Sequence, residues 1–268
     1  MIRRSGPDGH FLVTQNAHAS VAAQIALHWG NSDFPVPKPK KAVVDAVACH
    51  DAGWSLHDSE PTLNAALMPA TFYEMPAEYY GRVWVASIAA AAARGGPMGG
   101  LIVSWHFTSL ARRSPTRKIS DYAREVLDRF SRAQRGRQTD YCEALGLSRS
   151  LADYTPIAKT DRDRRALYNL DVLGVCDCIS IMLCDNAMQE PLLGRVTIDL
   201  QSEPEHPINA QWVDKACLRL SPWPLEIPEL VLTIPGRYVP LNGYRCDEDL
   251  RRAYAEGPAQ TIVLSLVS

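Results

Sequence analysis

The chain has 268 residues, 46% hydrophobic and 22% charged, the balance of a globular protein with a sizeable core in one large domain or two modest ones. A formal net charge of −2 gives no electrostatic footprint for nucleic acid or an anionic membrane, and seven cysteines without Cys-x-x-Cys spacing indicate neither a disulfide framework nor a thiolate zinc site. The longest apolar run, 83–93, is bounded by Arg82 and Arg94 and is too short to span a bilayer, and the basic N-terminus leads into no signal-type segment, so a cytoplasmic protein is expected.

In chain order, residues 9–15 read as a short strand running into a helix from about Asn16. On that helix His18, Val21, Ala22, Ile25 and Trp29 share one face. Gly30 and Asn31 close it, and Pro35, Pro37 and Pro39 stiffen the link to the next helix. That helix carries Val43, Val44 and Val47 and ends in His50 and Asp51, with Gly53 read as its stop signal. Both polar side chains project from the valine side.

The segment punctuated by Pro61, Pro69 and Pro76 has the length of a lid or site wall. Its candidate functional residues are Trp54, His57, Asp58, Phe72, Tyr73 and Glu74, each of which also has a surface-packing reading. An alanine-rich helix is predicted from Pro76 to about Arg94, ended by Gly95, Gly96 and Pro97. The following helix, 99–113, places Ile102, Trp105, His106, Ser109 and Leu110 on one side, with Arg112 and Arg113 beyond. Residues 118–147 form an amphipathic helix whose charges face solvent.

The last long helix, 161–187, carries Leu170, Leu173, Gly174, Asp177, Ile181 and Cys184 on its apolar face, leaving Asp171 and Asp185 on the solvent side. Cys49, Cys176 and Cys178 read as small core hydrophobes. After Pro191 the alternating and β-branched runs predict a small antiparallel sheet. The expected fold is mainly α, α+β overall: a helical metal-binding domain over 1–190 and a β-rich extension over 191–268 packed on it.

Taken singly, a buried histidine is more often a satisfied core residue than a ligand. Here four helices present His18, His50 with Asp51, His106 and Asp177 from apolar faces. An ionised carboxylate in such a place needs a cation or several donors. A shared ion would satisfy the set together, and the mixed nitrogen and oxygen donors suit iron, manganese, zinc, nickel or cobalt, as one or two ions, rather than calcium.

The order His18, His50-Asp51, Asp177 resembles the HD-domain superfamily of metal-dependent phosphohydrolases, which implies a helical bundle holding metal. A fuller resemblance, to the family called domain of unknown function 3891, rests on His18, His50-Asp51-x-Gly53-Trp54 with Asp58 and Pro61, His106-x-Thr108-x-Leu110, Asp177-x-x-Ser180 and Pro222-Trp223-Pro224. Dinuclear HD-type proteins have two further histidines between the His-Asp pair and the final aspartate; this interval offers only His57 and His106. A mononuclear site is therefore favoured, with a dinuclear site bridged by Asp51 left open.

The expected function is hydrolysis of a small anionic substrate, most plausibly a phosphate ester, by a metal-activated water. Asp51 would take part at the ion, His106 would shuttle the proton, and Arg112 or Arg113 would hold the anion. Two alternatives remain at this point: an HD-type mixed-valent di-iron oxygenase and a non-catalytic ligand-binding sensor. Neither nucleic acid nor a membrane is expected as a partner.

Overall fold

A computed structural model describes residues 1–113, 120–153, 156–186, 196–198 and 207–268. Its helices are α1 (Gln15–Leu27), α2 (Lys40–Cys49), the short α3 (Ser55–Ser59), α4 (Ala77–Arg113), α5 (Asp121–Ala144), α6 (Asp161–Cys184) and α7 (Asp247–Glu256). The strands are β1 (Ile2–Gly6), β2 (Gly9–Val13), β3 (Val196–Ile198), β4 (Ile208–Trp212), β5 (Cys217–Ser221), β6 (Glu229–Val239) and β7 (Ala259–Val267). They form a seven-stranded sheet in the order β1-β2-β6-β7-β5-β4-β3.

The predicted α+β character holds, with two differences in the sheet. It draws β1 and β2 from the N-terminal end, β2 pairing antiparallel with β6, and β7 slots between β6 and β5, so that β5 and β7 run parallel. Strand β1, Ile-Arg-Arg-Ser-Gly, has the polarity of a sheet edge and leaves little apolar signal.

Helix α1 starts at Thr14, whose hydroxyl accepts the Ala17 N–H, and buries His18, Val21, Ala22 and Ile25 as its periodicity requires. The α4 span is broken at Gly96, which alone takes a positive φ (64°) there, and Pro97 restarts the helix where a missing N–H costs least. Helices α1, α2, α4 and α6 pack on one another, α5 lies on α4, and β6 meets α1. Along β6, Leu230, Leu232 and Ile234 are buried while Glu229, Val231 and Thr233 are exposed, so one face of the sheet joins the helical core. Leu250 of α7 packs with Leu12, Val239 and Tyr244 in a smaller cluster.

Helix α6 corrects two expectations. By length and composition an 18-residue window of it is apolar enough to cross a membrane, although its acidic residues interrupt every continuous apolar run. That window is 72% buried inside the protein, as befits a central core helix. Because α6 is enclosed on nearly all sides over 166–184, Asp171 has no solvent side and is buried; Cys176 is in the core as expected, and Cys178 is only half-buried.

Both ends of α1 are tied down. The Gln15 N–H donates to the buried Asp58 carboxylate at 2.6 Å. At the other end Gly30 N–H donates to the Pro224 carbonyl at 2.9 Å, and Asn31 donates to that of Trp223 at 2.7 Å. The Pro-Trp-Pro segment therefore fastens the sheet to the helix that bears His18.

Gly53 is required for a reason other than stopping a helix. It sits in a 3₁₀ turn, Ala52–Trp54, pressed against α4, its N–H donating to Ser87 Oγ at 3.0 Å, and an added Cβ would collide with the Val83 carbonyl oxygen. Backbone cannot yield as a flexible side chain does. Gly53→Ala is expected to lower unfolding free energy by about 1–3 kcal/mol in urea titration, the usual cost of overpacking; unchanged stability would contradict the contact.

Candidate metal centre

Helix α1 contributes His18, the residues following α2 contribute His50 and Asp51, the second half of α4 contributes His106, and α6 contributes Asp177. His18 and His50 are sealed from solvent, at 0% and 1% exposure. The side chains of Asp51, Asp177 and His106, at 12%, 13% and 8%, form the side that reaches outward.

Four atoms close a ring. His18 Nε2 lies 3.0 Å from Asp51 Oδ2 and 3.5 Å from Asp177 Oδ1, while His50 Nε2 lies 3.2 Å from Asp177 Oδ1 and 3.6 Å from Asp51 Oδ2. His106 Nε2 approaches from the other side, 3.4 Å from Asp177 Oδ2. The ligand-type atoms of His18, His50 and Asp51 all fall within 4.8 Å of one another. Adjacent ligands at about 2.0–2.1 Å from a tetrahedral ion stand about 3.3 Å apart, and octahedral neighbours about 3.0 Å, so the edges of the ring match ligand spacings, although Asp177 lies outside the close group of His18, His50 and Asp51.

Hydrogen bonding fixes one ring proton outright, on His50. His50 Nδ1 lies 2.7 Å from the Val47 carbonyl, which can only accept, so Nδ1 bears the hydrogen. His18 Nδ1 lies 2.7 Å from Ser180 Oγ, whose own hydroxyl donates to the Asp177 carbonyl at 2.8 Å. That leaves the serine oxygen free to accept from His18 Nδ1, while His18 Nε2 faces Asp51 Oδ2, which also can only accept. In the neutral rings both Nε2 lone pairs face carboxylate oxygens, an arrangement that needs positive charge between them.

Without an ion, protons supply that charge. Burial alone would lower the His50 pKa, but Asp51, then Asp177 and the Val47 carbonyl, outweigh it and raise it to about 9. Burial likewise opposes ionisation of Asp51 and Asp177. For Asp51 the His50 and His18 rings win and hold it below its ordinary value; for Asp177 the His50, His106 and His18 rings hold it well below the carboxylate range. A bound cation would supply positive charge at the same place as the His50 proton.

Gly174, Asp177, Cys178 and Ile181 are half-buried at i, i+3, i+4 and i+7 on an otherwise enclosed helix, and a Cβ on Gly174 would meet nothing within 4 Å among the described residues. Arg112 donates to Ser109 Oγ at 3.0 Å. Six residues of helix place it about 9 Å along the axis from His106 and about 120° round it. The side chain of Arg113 lies outside the described residues.

Other candidates have packing roles. Asp58 clamps the start of α1, Glu74 accepts the Thr71 N–H in a capping box, and Trp54 packs edge-on to His57 and Phe72, with Tyr73 against Phe72. Ser180 was not expected to hold a ligand, although its position one turn beyond Asp177 places both on neighbouring parts of one face.

With this geometry in view, the comparison with known families is direct: the family described as Protein of unknown function (DUF3891) matches residues 1–241, and the chain belongs to it. No curated protein and no solved structure matches the chain.

The charge arrangement predicts a pH dependence for the metal-free protein. His50, raised in the fold, stabilises it fully below pH about 6.5 and loses that contribution as pH rises through about 9. Thermal melts of metal-free protein are expected to show Tm falling across this window, with a smaller fall in His50→Gln. An identical fall in the variant would contradict the assignment.

Proposed function

We propose that the chain is a metal-dependent hydrolase of a small anionic substrate, most plausibly a phosphohydrolase whose helical site is of HD type. The observation that carries this reading is the pair of buried imidazoles whose Nδ1 atoms are bonded to Ser180 and Val47 and whose Nε2 atoms face Asp51 and Asp177. His18, His50, Asp51 and Asp177 would hold one ion of iron, manganese, zinc, nickel or cobalt. When bound, such an ion supplies charge against an anionic transition state and acidifies a water towards neutral pH.

The chain's own groups divide the remaining work. His106, on the outward side of Asp177 and only 8% exposed, is placed to move a proton to or from the reacting water or leaving group. The half-buried strip of Gly174, Cys178 and Ile181 on the same helix would serve a small substrate as a floor beside Asp177. Arg112 would reach the anion only by leaving Ser109. Seven free cysteines fit a reducing compartment, so the cytoplasm is the proposed location.

A second reading draws on Asp177 alone. Its Oδ1 faces His18 and His50 while its Oδ2 faces His106, the pose of a bridging carboxylate, which would admit a second ion and the di-iron oxygenase reading. A non-catalytic sensor would retain the metal without turnover.

Elemental analysis of natively purified protein and turnover on a panel of phosphate esters test the proposal together. One equivalent of transition metal, lost in His50→Ala and Asp51→Ala, is expected. His106→Ala should keep the metal and lose about 10²–10⁴-fold in turnover. Metal content unchanged in the two ligand variants would overturn the site; two equivalents of iron with oxygen-dependent turnover would select the oxygenase.

A further inference from the structure

We propose that Ser180 is the positioning residue that makes His18 a metal ligand, by holding the ring in the tautomer that leaves Nε2 bare. This inference rests on the metal-centre reading above and adds a role for a residue outside the ligand set.

The argument begins with a competition for one proton. A neutral imidazole carries its hydrogen on either nitrogen, and its neighbours decide which. At His18 the Nε2 side faces Asp51 Oδ2 at 3.0 Å and Asp177 Oδ1 at 3.5 Å, two anionic acceptors that draw the hydrogen towards them. A hydrogen on Nε2 would occupy the lone pair that a metal needs. The opposing pull comes from Ser180 Oγ, 2.7 Å from Nδ1.

Ser180 is fitted to act as an acceptor. Its hydroxyl hydrogen is engaged by the Asp177 carbonyl at 2.8 Å, so the oxygen presents lone pairs to His18. A serine bonding back three residues within a helix is ordinary. What is specific here is that a ring nitrogen from α1, 162 positions away in sequence, occupies the free side of that oxygen. Ser180 and His18 are both 0% exposed, so solvent has no ready route to take over the bond.

The two sealed histidines differ in this respect. The lock on His50 is the Val47 backbone carbonyl, which no side-chain substitution removes. That on His18 is one hydroxyl. The same turn of α6 thus supplies the Asp177 carboxylate and, through Ser180, the orientation of the histidine that shares its ion. Conserving that hydroxyl should preserve the site, and deleting it should release the His18 hydrogen to the carboxylate side.

The test uses full-length wild type, Ser180→Ala and Ser180→Thr, with zinc as the probe. Zinc affinity is read by competition with a chromophoric chelator, folding by thermal melts of the metal-free proteins, and the His18 tautomer by long-range ¹H–¹⁵N spectra of the zinc-loaded wild type. Ser180→Ala is expected to bind zinc about 10–100-fold more weakly, as loss of a ligand's orienting partner does, and Ser180→Thr to return to within about threefold of wild type. The spectrum should show hydrogen on Nδ1 and zinc on Nε2 of His18.

Equal affinity in wild type and Ser180→Ala would overturn the proposal. So would equal losses in the alanine and threonine variants when both melt as wild type does, or a His18 spectrum with hydrogen on Nε2. The spectrum requires no substitution, so a Ser180→Ala protein that fails to fold leaves the proposal exposed to disproof. Failure of the wild type to bind zinc or any other transition metal would instead overturn the metal-centre reading, and this proposal with it.

Discussion

Two carboxylates set 3.0 to 3.6 Å from imidazole nitrogens inside a helical bundle are the constraint on which this protein turns. Ionised groups in such surroundings are costly unless positive charge meets them. The fold provides three histidine rings within 3.0 to 3.6 Å of the acids and orients two of them through bonds on their far sides. Protons on the rings or a bound cation can each supply that charge, and the ligand-type atoms of His18, His50 and Asp51 lie within 4.8 Å of one another.

The rest of the molecule can be understood as what holds those groups in place. His18 lies near the start of a helix fastened at one end by Asp58 and at the other by the Pro-Trp-Pro segment preceding β6. His50 and Asp51 sit at the end of α2, where the chain turns sharply against α4 and only glycine fits. Asp177 and Ser180 share a turn of the most deeply enclosed helix. Among the described residues the sheet adds no ligand; it packs on the bundle through β6 and α1, with strands drawn from both ends of the chain.

Much of this was legible in the sequence because the helices are long and their apolar periodicity is strong. His18, His50, Asp51, His106 and Asp177 were found as polar interruptions of apolar faces, and the fold gathers all five. Weaker patterns hid other features. Asp171 was placed in solvent because a single-face pattern does not reveal a helix enclosed on nearly all sides. Gly53 carried a stop signal, whereas its requirement arises from α4, thirty residues on. Helix α7 buries only Leu250, and β1 and β4 mix polar with apolar residues, so none announced itself. Ser180 was named in the family motif but given no role, because a serine within a helix has no periodic signature and its partner lies 162 positions away in sequence.

The most direct test of the account is anomalous scattering from crystals of natively purified protein, recorded on either side of the absorption edge of the metal it contains. The account predicts an anomalous peak about 2.0–2.2 Å from His18 Nε2, His50 Nε2 and a carboxylate oxygen of each of Asp51 and Asp177. Absence of a peak, with the same imidazoles hydrogen-bonded directly to those carboxylates in protein grown with transition metal, would contradict it.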